Sequence, residues 1–128
     1  MVMEADELDF LQNLKEEFID EGLEHIDALE GIALDYEKGG DKEEMTKFKR
    51  QIHSFKGSAQ AVEEEAFAES LHKIESKLEV CIQAERLADF MTFVYPCIDK
   101  MREYVNSLDE GGDEKALGDF VSMVENFN

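Results

Sequence analysis

"DKEEMTKFKRQIHSFKGSAQAV", residues 41–62, is the stretch on which the fold turns. Met45, Phe48, Ile52, Phe55, Ala59 and Val62 recur at three- and four-residue steps, which lines apolar side chains along one face of an α-helix. Asp41 precedes the run, with Glu44 three residues later, and together they read as its N-terminal cap. His53 lies one position, about 100°, off the apolar face, so its ring falls at the core's edge and faces water. Lys49, His53, Lys56, Gly57 and Gln60 share one flanking ridge because they too are spaced at three or four residues.

The same rhythm extends in both directions. Leu11, Leu14, Phe18, Gly22, His25/Ile26, Leu29 and Ala33 mark a helix from about residue 5 to Lys38, ended by Gly39-Gly40. Phe67, Leu71, Ile74, Leu78 and Cys81 mark a third helix, and the spacing from Leu87 to Leu108 a fourth. Pro96 interrupts that fourth segment and predicts a kink or a break. After "DEGGDE", Leu117, Phe120, Val121, Val124 and Phe127 predict a short terminal helix. Period-two alternation is missing throughout. Long helices on short loops make an all-α fold, an antiparallel up-down four-helix bundle with a fifth C-terminal helix, as one domain over residues 1–128.

The chain has 32 acidic and 13 basic residues, a formal net charge of −19. That charge repels phosphate backbones and anionic lipid, so no nucleic acid and no membrane partner is expected. A 43% apolar content separates it from disordered acidic tails. No apolar run reaches membrane-spanning length, and "MVMEADELDF" lacks the basic-then-apolar layout of a signal peptide. A cytoplasmic location is therefore expected. Cys81 and Cys97 belong to no CxxC and are expected to be buried free thiols.

A carboxylate-bridged di-metal bundle needs two Glu-x-x-His pairs, and only Glu69 with His72 forms one, so no metal is expected. Nucleotide motifs are missing as well: there is no GxGxxG, no Walker loop and no kinase lysine–aspartate set.

The ridge around His53 suits another chemistry. A mid-helix glycine costs roughly 1 kcal/mol relative to alanine. Gly57, one turn from His53, uncovers the ring to an approaching macromolecule. Lys56 sets a cation about 5–6 Å away on the same face, where it can offset the charge of an arriving phosphoryl group. Neutral imidazole is a nucleophile at neutral pH. An exposed nucleophile, a phosphate-pairing lysine and a gap for a partner together fit phosphoryl acceptance.

"HSFKGSA", residues 53–59, resembles the H-x-x-K-G-S/G-S/A signature of histidine phosphotransfer (HPt) domains, the helical bundles of two-component signalling. "ESLHKIESKLE", residues 69–79, and the opening "FLQNLKEEFIDEGLEHIDALE" are similar to segments of the phosphotransfer domain that begins chemotaxis histidine kinases. The likeness spans about residues 8–108. It implies that His53 is phosphorylated through Nε2, that Glu75 holds the Nδ1 proton, and that His72 matches the family's second histidine. It implies as partners a response-regulator receiver domain and a histidine-kinase ATP-binding domain. Mg²⁺ belongs to the partner, so no cofactor is expected here. Lys49, Gly57, Gln60 and Ala61 are expected to dock partners, and the isolated domain to be monomeric. The alternative is a non-catalytic helical module that docks a receiver or kinase without chemistry. One position departs from the family: ten residues after His53, where glycine is common, stands Glu63. Glutamate tolerates a positive φ poorly, so the turn there is expected to differ in shape.

Overall fold

The computed structural model describes residues 5–128; Met1–Glu4 of the expected domain lie outside the described residues. It contains α1 (Ala5–Glu37), α2 (Lys42–Ala61), α3 (Glu65–Gln83), α4 (Leu87–Ser107) and α5 (Glu114–Asn126), with a short 3₁₀ turn at Leu108–Glu110 and no strand among the described residues. Each of α1–α4 packs on the next, α1 closes the ring against α4, and α5 lies on α3 and α4. That pattern is an up-down four-helix bundle with an added helix.

The apolar stripes meet in one core, and Phe55 sits at its centre. Its ring is fully buried, stacks on His25 at 5.1 Å and meets Phe67 edge-on at 5.3 Å. Ile52 and Phe48 are equally buried, and Phe48 meets Phe90 edge-on at 5.7 Å. Burying side chains of this size stabilises by about 1.5–3 kcal/mol each, which fixes the rotation of α2 about its axis. With Ile52 and Phe55 inside, His53 has to point out. Leu11 departs from the reading of the first stripe: it is 48% exposed, as are its neighbours Leu8 and Phe10 in still larger part, so that end of α1 is not part of the core.

Asp41 caps α2, its Oδ1 accepting from the Glu43 N–H at 2.9 Å. Glu44 does not complete a reciprocal capping box, because its Oε1 accepts from Lys47 instead. Pro96 does not break α4, which runs unbroken from Leu87 to Ser107. Pro96 and Thr92, one turn before it, are both exposed, so water can reach the Thr92 carbonyl that proline leaves without an N–H. Cys81 and Cys97 are buried and free, and burial pushes the Cys97 thiol up to about 12.

The turn after α2 corrects the expectation for Glu63. Glu63 takes φ 63°, the left-handed backbone that glycine favours. Its N–H donates to Gln60, and the next N–H, that of Glu64, reaches back to the Ala59 carbonyl at 2.9 Å. This is the same pair of bonds that closes α1 at Gly39, where the N–H groups of Gly39 and Gly40 donate to Tyr36 and Asp35. Glu85 repeats it after α3 with φ 57°. The turn thus keeps glycine-type geometry, at a cost of about 1–2 kcal/mol for the side chain's clash. The Tyr104 hydroxyl donates to the Glu64 carboxylate and ties this turn to α4.

Candidate functional site

The His53 ring stands on the outer face of α2 beside α3, with its side chain 65% exposed. Its Nδ1 lies 3.1 Å from Oε2 of Glu75, on α3, whose side chain is only 16% exposed. A carboxylate only accepts hydrogen bonds, so the neutral ring must carry its proton on Nδ1. Nε2 then keeps its lone pair, and no group among the described residues hydrogen-bonds it.

Oε1, the other oxygen of Glu75, faces two cation-forming groups. Lys56 Nζ lies 3.7 Å away with its side chain mostly covered, and His72 Nδ1 lies 3.6 Å away on an exposed ring. One half-buried carboxylate therefore gathers His53, Lys56 and His72, three of the residues singled out from sequence. Lys56 reaches the site along the same ridge of α2, and His72 comes from α3 one turn before Glu75.

Gly57 is exposed and helical, and a Cβ built on it would meet no atom within 4 Å. Nothing inside the molecule requires glycine there. Gly22 differs, since a Cβ there would approach Val105 at 3.3 Å and Phe55 at 3.4 Å. Gln60 and Ala61 are exposed beyond Gly57. Gln60 and Lys56 line a depression of about 520 Å³ between α2 and α3, floored by Ala68 and bordered by Glu65, Glu69 and His72. Ala61 instead lines a hollow of about 460 Å³ on the α1 side, with Leu14, Phe18 and Leu108.

Lys49 stands apart from this group. Its ammonium is held by Glu79 Oε2 at 2.6 Å, and that bond raises the lysine's proton affinity and lowers the glutamate's. Glu79 was not among the residues singled out from sequence. The signal was present: one turn back from His53 and one turn on from Glu75 lead to Lys49 and Glu79, which face each other wherever those two do in an antiparallel helix pair.

His25 approaches the other side of α2. Gln51 Nε2 lies 2.6 Å from its Nδ1 and Ser58 Oγ lies 3.5 Å from its Nε2, so both ring nitrogens are engaged. Burial lowers its proton affinity, against the opposing pull of Glu21 and Glu24.

The family model of the Hpt domain matches residues 13–111, well over half of the chain and all of α2–α4. No curated protein and no solved structure matches it.

Proposed function

The chain belongs to the Hpt domain family and so serves histidine phosphotransfer in a phosphorelay; we propose that His53 is the residue that carries the phosphoryl group. The observation behind this reading is the Nδ1···Glu75 contact at 3.1 Å, which leaves the Nε2 lone pair facing solvent. In the reaction that lone pair attacks phosphorus in line. The N–P bond forms as the bond to the leaving oxygen breaks, and that oxygen departs with the electron pair as ADP or as a receiver's aspartate carboxylate. The ring becomes cationic while Nδ1–H stays on Glu75, which stabilises it. Lys56 offsets charge on the transferring group, and His72 borders the same carboxylate. Transfer onward to a receiver aspartate reverses the roles, with Mg²⁺ supplied by the partner.

Gly57, Gln60 and Ala61 are proposed as the uncovered surface against which a receiver or a kinase ATP-binding domain seats. The chemotaxis-type assignment rests on the likeness of residues 69–79 and on His72 and Glu75 together. With no nucleotide motif in its sequence, the domain takes its phosphoryl group from a partner. We place this exchange in the cytoplasm, where ATP-fed kinases and receivers meet.

The test is labelling with radioactive ATP, on wild type and His53→Gln, alone and with a histidine-kinase ATP-binding domain. Wild type is expected to gain an acid-labile, base-stable label only with the kinase, and His53→Gln to gain none while melting at nearly the same temperature. Label retained by His53→Gln would refute the assignment, and label from ATP alone would refute the need for a partner.

A further inference from the structure

The charge on α2 is not distributed like the charge on the rest of the molecule. α1 is acidic almost throughout, with Lys15 as its single lysine or arginine. On α2, taking about 100° per residue, Lys42, Thr46, Lys49, Arg50, Lys56, Gly57 and Gln60 all fall within about 60° of His53. Every charged residue in that sector besides the histidine is a cation. The acids of α2, Glu43 and Glu44, lie outside it. In a chain of net charge −19, the reactive histidine thus stands on a basic strip.

Two of those cations are already committed inside the molecule. Lys49 is bound by Glu79 and Lys56 approaches Glu75. Lys42 and Arg50 are exposed, and neither meets a carboxylate among the described residues. Both precede His53, and Lys42 lies about 16 Å from it along the helix axis. Gly57 and Ala61 are on the opposite side of the ring. The surface around His53 therefore has two halves, a cationic half towards the start of α2 and a small-residue half towards its end.

We propose that Lys42 and Arg50 form a docking strip that selects the receiver partner by engaging acidic side chains on the rim of its acceptor site. The proposal rests on the reading of His53 as the phosphoryl carrier and adds which residues outside the reacting group set the choice of partner. A receiver's acceptor site gathers an aspartate and the carboxylates that hold Mg²⁺, so its rim is electronegative and complements a cationic strip. A kinase's nucleotide cleft must instead hold polyphosphate with cations of its own and gains nothing from two more. The acidic flank formed by α1 repels the same receiver rim, so the α2 face offers the more attractive approach of the two.

The experiment compares Lys42→Glu/Arg50→Glu with Lys47→Glu/Lys115→Glu, which makes the same net charge change at exposed sites outside the strip. Binding of unphosphorylated receiver domains is titrated calorimetrically at about 50 and about 300 mM salt, so the measurement needs no chemistry at His53. The strip variant is expected to bind at least about tenfold more weakly than wild type at low salt, with the gap narrowing at high salt, and the control to stay within about twofold. Equal weakening by both variants, no weakening by either, or no receiver binding to wild type would overturn the proposal. So would a strip variant that loses affinity for the kinase domain alone. Phosphoramidate labelling of each protein separates the two readings. Failure of wild type to label at His53 removes the carrier assignment, whereas the titration judges the strip.

Discussion

The two seams of α2 each hold a histidine and use it in opposite ways. At the seam with α1, His25 stacks on Phe55 and has a polar partner at each nitrogen. At the seam with α3, His53 has one nitrogen on Glu75 and the other open. Burial disfavours the charged form of His25, while His53 lies mostly in water. The two rings differ in burial as well, since His25 rests on the core through Phe55 and His53 does not. The structural contrast between them is that both nitrogens of His25 have a polar partner while the Nε2 of His53 has none among the described residues.

That contrast can be broken from either side. The larger effect is expected at the α3 seam. Glu75→Ala removes the acceptor that fixes the His53 tautomer and should slow phosphoryl acceptance by about tenfold to a hundredfold, the rate equivalent of one charge-assisted hydrogen bond. Glu75→Gln keeps an acceptor oxygen and should lose less. Single-turnover labelling with a kinase domain checks both, and an unchanged rate in Glu75→Ala would remove Glu75 from the site.

A smaller effect is expected at the α1 seam, and it should appear in stability. His25→Gln loses the stack on Phe55 and at least one hydrogen bond, at a cost of about 1–2 kcal/mol in denaturant melts, with labelling within about twofold of wild type. The pH dependence has a definite sign. The folded protein binds a proton at His25 less readily than the unfolded chain, whose value is near 6.5. Stability from this site is therefore complete above that pH and is lost as pH falls below it. His25→Gln should flatten the decline between about pH 7.5 and 5 that wild type shows. A wild-type slope no steeper than the variant's would contradict the burial account of His25.

Much of this was legible in the sequence because helix periodicity reports which face is buried. Ile52 and Phe55 inside imply His53 outside, whereas Glu75 as its partner was implied by the likeness of residues 69–79 to the family and not by periodicity. Three features were not legible, each for a physical reason. Leu11 keeps the period of the stripe, but periodicity does not say where along α1 the bundle ends. Pro96 reads as a kink or a break, yet α4 runs on without a break, because on its exposed face water can take the carbonyl that proline frees. Glu63 reads as unsuited to a left-handed turn, yet the two backbone bonds closing α2 outweigh that local penalty. The pairing of Lys49 with Glu79 follows once His53 is set opposite Glu75, although spacing within one helix does not by itself supply that register.

On the proposed reading Glu75 holds the Nδ1 proton and thereby directs chemistry to Nε2 of His53. Long-range ¹H–¹⁵N NMR of the imidazole rings, before and after phosphorylation by a kinase domain, tests it most directly. The His53 ring is expected to be protonated on Nδ1 when neutral and to bear the phosphoryl group on Nε2 afterwards. A neutral ring protonated on Nε2, or a phosphoryl group found on Nδ1 or on His72 instead, would contradict it.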